Sequence, residues 1–360
     1  MNQHPTDRHP TGQDPTDHDH PGHDQADHDQ ADHDRPNHYD ANHDHPDRPA
    51  VPPTETVRPE WSSIDELPTA DLLRLMNAED RTVAATVGGQ LERIATVVDA
   101  VAARMARGGR LVYAGAGTAG RLGVLDAAEC PPTFGTDPAV VVGLIAGGRR
   151  AVTQAAEGAE DRPDLAEADV AALVLTPADA LVGISASGRT PYAVAAVRAA
   201  RAAGALTVGL ACNRGSALAA AAELAVEVEV GPEVLAGSTR LKAGTAQKLV
   251  LNMLSTAVMV RLGRTYGNLM VDVRATNTKL RERARRIVAE ATGADDRSVS
   301  HALTATDGRA KDAILLLLAD VDAPTAARLL TAANGHLREA LTAARDSRSD
   351  PTPFPSGEPA

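Results

Sequence analysis

Residues 110–128, RLVYAGAGTAGRLGVLDAA, set the architecture. The run 110–116 is short and apolar, as in a strand buried on both faces, and it ends among glycines. From 118 to 128 the apolar residues recur at helical spacing. A buried strand that turns through glycine straight into a helix is the opening of a βαβ unit, which belongs to a parallel sheet.

The same pattern repeats downstream. Further strands are expected at 139–146, 180–185, 205–211 and 224–230, with helical stretches near 150–158, 191–203 and 216–222 between them. Five strands with intervening helices predict an α/β fold, a doubly wound five-stranded parallel sheet with helices on both faces. Upstream, Leu72, Leu73, Leu75 and Met76 begin a helical face, and 84–105 is expected as one long amphipathic helix ended by Gly108-Gly109. Downstream, a long helix is expected over 242–262, another over 276–292, and several short ones over 294–344. The expected divisions are a tail at 1–53, a helical arm at 54–100, the sheet domain at 101–264, a helical region at 265–345 and a Pro-rich tail at 346–360.

Composition narrows the function. The formal charge of −12 is concentrated in residues 1–50, which hold twelve Asp against three Arg. The remaining body is near −3 and offers no basic footprint for nucleic acid. Only Cys130 and Cys212 are present, without metal spacing or a disulfide framework, which fits a reducing cytoplasm. No apolar run reaches about 18 residues, so a soluble chain with no membrane partner is expected. In the tail, His18, His23, His28, His33, His38 and His43 recur every five residues. That period matches neither helix nor strand, so the tail is expected to be disordered; weak multivalent binding of divalent metals is the alternative.

Gly115-Ala116-Gly117-Thr118-Ala119-Gly120 satisfies the dinucleotide pattern G-x-G-x-x-G between a strand and a helix. Against a dinucleotide, the second strand ends in Gly147-Gly148 with no acid for a ribose, and Asp137 precedes that strand. A second strand-to-helix loop, 185–191, carries hydroxyls. Two such loops suit one phosphorylated sugar, held by backbone amides at each helix start and by the Ser187 and Thr190 hydroxyls. Ordinary capped helices are the alternative. Two acids follow the glycine-rich loops: Glu129, before Cys130-Pro131-Pro132 in what is expected to be a rigid turn, and Glu160, beside Glu157 and Asp161. A pair of acids beside a sugar provides a general acid and a general base; salt-bridging or a solvated helix end is the alternative.

The body resembles the N-acetylmuramic acid 6-phosphate etherases, whose core is a sugar isomerase (SIS) domain. The resemblance covers about 54–341 and rests on 77–83, 115–135, 143–148, 157–161, 187–192, 237–256 and 267–273. It implies cleavage of the D-lactyl ether by elimination and addition of water, giving N-acetylglucosamine 6-phosphate and D-lactate. It implies Glu129 as the proton donor and Glu160 as the C2 base. Phosphate and sugar contacts are implied for Gly117, Thr118, Gly120, Arg121, Ser187, Gly188, Arg189, Thr190 and Lys242. No metal or organic cofactor is implied, and a homodimer is; the long apolar helix expected over 242–262 is read as needing a partner surface as well. Ala119 departs from the Ser usual in that loop. Rival readings are a non-catalytic SIS sugar-phosphate sensor, similar to glucokinase regulatory proteins, and an aldose–ketose isomerase.

Overall fold

The computed structural model describes residues 51–272 and 278–349. Three helices precede the sheet: α1 (Thr69–Asp80), α2 (Val83–Gly88) and α3 (Leu91–Met105). The sheet comprises β1 (Leu111–Gly115), β2 (Val141–Ile145), β3 (Ala180–Ser185), β4 (Leu206–Ala211) and β5 (Leu224–Glu227). All pairs are parallel, in the order β2-β1-β3-β4-β5. Every residue of β1, β3 and β4 is buried, which is why these strands appear in the sequence as unbroken apolar runs.

Chain order assigns the helices to faces. From β1 the chain runs through α4 (Gly117–Phe134) to β2, and α5 (Pro163–Leu173) then carries it back past β1 to β3. α6 (Pro191–Ala202) and α7 (Ala217–Ala221) make the remaining crossovers. α3, α4 and α8 (Lys242–Arg261) cover one face and α5, α6 and α7 the other, each side filled by Ala, Val, Leu and Ile. Because the chain leaves β1 and β3 toward opposite faces, their C-terminal ends flank the crevice where open α/β sheets take ligands.

Three local expectations are corrected. The helix expected over 84–105 is two helices, broken where Gly88 and Gly89 fall together and Gln90 leaves helical angles; each mid-helix glycine costs about 1 kcal/mol relative to alanine. The stretch 150–158 is not a helix but one 3₁₀ turn, Arg149–Val152, followed by turns. The helix on this crossover is α5, which starts with Pro163 in its first turn. Finally, α4 does not end before Pro131-Pro132. It runs through them to Phe134 and closes on Gly135 in the left-handed region at φ +64°. Both prolines lie in the last turn, where a missing amide costs least cooperativity.

After α8 come a short hairpin, β6 (Thr265–Tyr266) and β7 (Leu269–Met270), and five helices: α9 (Thr278–Thr292), α10 (Asp296–Ala305), α11 (Ala310–Ala319), α12 (Ala323–Ala332) and α13 (Leu337–Ser349). They enclose a second apolar cluster that includes Ile314 and Leu315. The buried Lys311 ammonium ties this group to the end of α8. It donates to Gly263 O at 2.8 Å, Asp272 Oδ2 at 2.6 Å and Gly335 O at 3.0 Å, using all three of its donors. The expected tail at 1–53, up to residue 50, and the Pro-rich end from Asp350 lie outside the described residues, as do 276 and 277 of the helix expected at 276–292. Among the described residues, no helix is long and apolar enough to cross a membrane.

Candidate active site

β1 ends at Gly115, Ala116 is extended, and Gly117 opens α4 at φ +54°. Ala116 has no side chain able to cap, so the first amides of this 18-residue helix keep no side-chain partner. They present the positive end of the helix dipole. Gly120 has a different task. A Cβ there would lie 2.6 Å from Gly115 O and 2.7 Å from Ile145 Cγ1, so glycine lets α4 close onto β1 and β2. Ala119 is buried in the core beneath the loop.

The second loop leaves β3 in the same direction. Ser185 Oγ lies 2.8 Å from Thr190 Oγ1 and 3.3 Å from Ser187 Oγ. Gly188 N donates to Ser185 Oγ at 3.0 Å, and Arg189 N donates to Ser187 Oγ at 3.2 Å. The hydroxyls thus form one pool at the start of α6, whose N-terminus also lacks a side-chain cap. Gly188 sits at φ +70°, and a Cβ there would fall 2.3 Å from Ser216 Cβ. The Arg189 residue is exposed.

Beside the α4 N-terminus lies a cavity of about 210 Å3, lined by Gly117, Arg121, Glu157, Gly158, Glu160 and several alanines. Arg121 Nε donates to Val152 O at 3.0 Å, tying the segment after β2 down onto α4. Gly158, at φ +71°, turns the chain into the 3₁₀ turn Ala159–Asp161 that carries Glu160. Gly117, Arg121 and Glu160 therefore share one cavity, although more than forty positions separate the first from the last. A larger open groove of about 600 Å3 lies between α6 and α7, lined by Arg198, Arg201 and alanines. It contains no acid and neither loop.

Two expected site residues are elsewhere in the chain. Glu129 is exposed on α4, twelve residues past Gly117. At 1.5 Å per residue it stands about 18 Å along the axis from the α4 N-terminus. Within one chain Glu129 does not line the cavity that Glu160 lines. Lys242 is buried at 3% exposure, and its ammonium donates to Glu79 Oε2 at 2.7 Å, anchoring α1 on α8. The Lys242 and Ala243 amides both donate to the Glu233 carboxylate at 2.9 Å, which caps α8 from the loop that leads into it. Lys242 does not line the cavity.

Sequence reasoning missed Asp126. It lies on the buried stripe of α4 formed by Ala119, Gly123, Asp126 and Cys130, one turn before Glu129. Its carboxylate accepts from Tyr113 OH at 2.8 Å, Asn252 Nδ2 at 2.8 Å and Ser255 Oγ at 3.1 Å. Burial pushes its pKa up, with those three hydrogen bonds opposing. An acid in phase with an apolar helical face was the available signal. Burial, reinforced by the charges of Asp126 and Glu129, pushes the Cys130 thiol up to about 12, which removes it as a nucleophile. Among the described residues, no group of three or more His, Cys, Asp or Glu side chains is arranged to hold a metal.

Comparison with known proteins agrees with this geometry. Residues 159–257 match the SIS domain family, and 93–201 match the glucokinase regulatory protein N-terminal SIS domain. An N-acetylmuramic acid 6-phosphate etherase from Streptomyces coelicolor is 71% identical over 291 residues, covering 81% of this chain and 94% of that protein. The chain belongs to the N-acetylmuramic acid 6-phosphate etherase family. Etherases of that name from Streptomyces avermitilis and Mycolicibacterium smegmatis are 68% and 54% identical, each over 81% of this chain and covering 94% and 97% of those proteins. The five-stranded parallel sheet with flanking helices, followed by a helical region, is the fold this etherase family member was expected to adopt.

Proposed function

We propose that the chain cleaves the D-lactyl ether of N-acetylmuramate 6-phosphate, adding water to give N-acetylglucosamine 6-phosphate and D-lactate. The observation that carries this reading is the uncapped α4 N-terminus opening beside Glu160 in a chain of the etherase family. The free amides and the hydroxyl pool of the second loop hold the phosphate. Glu160 takes the C2 proton of the open-chain sugar, made acidic by the C1 aldehyde. Electrons move into the C2–C3 bond as the C3–O bond breaks, and Glu129 protonates the departing lactate oxygen. Water then adds at C3 with Glu129 as base, and C2 regains a proton.

Glu129 of the same chain is about 18 Å away along α4, so the reading includes a second copy that supplies it. Three features support a homodimer. α1 buries none of its residues despite Leu72, Leu73, Leu75 and Met76, and such a helix is stabilised by tertiary packing. The outward face around Glu129 carries exposed Leu125 and Pro132, and the α8 surface adds Met253 and Val260. The cavity of about 210 Å3 is smaller than the ~300–1,000 Å3 usual for ligand pockets and gains a wall from a partner. The apolar side of α8 is not the reason for pairing, because α3 and α4 of the same chain cover it.

The test is incubation with N-acetylmuramate 6-phosphate, assaying D-lactate and deuterium incorporation at C2. Lactate released together with label is the expected result. Sugar bound without lactate would favour the sensor reading, which the regulatory-protein match over 93–201 keeps in view.

A further inference from the structure

A second cavity, of about 170 Å3, lies between α9 and α10 and plays no part in the chemistry above. Arg281 and Arg285, four residues apart on α9, form one side. Ser300 and Thr304, four apart on α10, form the other, and Gly308 closes the end. Residues at that spacing share a helix face, so two guanidiniums confront two hydroxyl side chains across the cleft.

No carboxylate lines this cleft. Among the described residues, the Arg281 guanidinium bonds only to the Thr278 hydroxyl, at 3.2 Å, and the Arg285 guanidinium has neither ion pair nor hydrogen bond. Thr304 Oγ1 spends its proton on Ser300 O at 2.8 Å, and among the described residues the Ser300 hydroxyl makes no hydrogen bond. α9 carries five cationic side chains, Lys279, Arg281, Arg283, Arg285 and Arg286, against Glu282 and Glu290. The body outside residues 1–50 is near −3, so a net excess of three cations on one helix runs against its balance. Like charges one turn apart repel, and an anion between them would relieve that repulsion.

We propose that this cleft binds a small oxyanion of the phosphate class, at a site separate from the sugar-phosphate cavity. Guanidinium forks match phosphate oxygens two at a time. The volume exceeds the ~30 Å3 of one water and falls short of the ~300 Å3 of a drug-sized ligand pocket. A phosphoryl group with little attached fits; a nucleotide does not. The inference does not depend on the ether-cleaving reading.

Equilibrium dialysis of the full chain against radiolabelled inorganic phosphate tests it. The double variant Arg281→Gln, Arg285→Gln should lose one class of bound phosphate, weakened roughly tenfold or more. Lactate release should not change. Glycerol phosphate displacing that class would mean that esters are accepted, whereas no displacement would restrict the site to free phosphate; both outcomes keep the shared chemistry. Arg283→Gln, on the same helix but outside the cleft, should bind phosphate like the wild type. The proposal is overturned if the double variant binds as the wild type does. It is equally overturned if Arg283→Gln weakens binding as much as the pair, since diffuse surface charge would then explain it.

Discussion

The two rims of the sheet, the edges formed by the C-terminal and the N-terminal ends of its strands, are finished in opposite ways. At the edge where β1 and β3 end, helix amides lack caps, hydroxyls bond mainly to one another, and an acid stands over a small cavity. At the other edge, where β1 and β3 begin, side chains use up the backbone's bonding capacity. Asp179 accepts from Arg110 N at 2.7 Å, Arg110 Nε at 3.0 Å, Arg110 Nη2 at 3.0 Å and Thr176 N at 2.8 Å. Farther along α4, Asp126 is bonded by three donors from β1 and α8. The saturated edge stabilises the fold, and the unsaturated edge keeps donors free for a ligand. Glu129 belongs to neither arrangement. It is exposed, and its function in this account requires a second chain.

Substitutions at the two edges should therefore fail in different ways. The largest effect is expected from Glu160→Gln, which should slow lactate release by about 10²–10⁴-fold with the melting temperature unmoved. Calorimetry alongside a lactate assay checks both. Asp126→Leu should do the reverse. It leaves the Tyr113 and Ser255 donors buried without a partner, at a cost of about 3 kcal/mol read from urea denaturation.

Asp179 brings in pH. Burial raises its pKa, but the Arg110 hydrogen bond and the backbone amides outweigh it and hold the carboxyl at about 2, below its ordinary value of 3.8. A depressed folded value means that the stabilisation is complete above about pH 4 and is lost as pH falls toward about 2. Asp179→Asn should be less stable than wild type by about 2 kcal/mol at pH 6, with the gap closing at low pH. Denaturation curves across that range would reveal a constant gap if the carboxylate charge were irrelevant. The smallest effect is expected from Gly117→Ala. The position is at φ +54° with open space around a Cβ, so the cost is about 1 kcal/mol of backbone strain, felt mainly as weaker sugar-phosphate binding.

Much of the unsaturated edge was legible in the sequence. Buried strands ending on glycine gave the sheet, and the loops after β1 and β3 gave the position of the proposed phosphate site. Glu160 required only the short turn opened by Gly158. Less was legible where local signals conflict with tertiary packing. Pro131 and Pro132 look like a helix stop, yet α4 absorbs them in its final turn. α5, in PDLAEADVAAL, has a weak apolar stripe and was overlooked. Lys242 followed a motif that resembles the family's, but its ammonium is engaged by Glu79, far away in sequence. The distance of Glu129 from the α4 N-terminus was available from arithmetic once α4 was known to be continuous. It was hidden by the expected turn at Cys130-Pro131.

Subunit complementation between Glu129→Gln and Glu160→Gln tests the shared site. Each variant alone should be inactive. After subunits are exchanged at equal amounts, half of the dimers should be mixed, each with one intact and one doubly altered site, restoring about a quarter of wild-type lactate release. A mixture as inactive as its parents, with exchange demonstrated, would mean that both acids act within one chain, and the composite site would be contradicted.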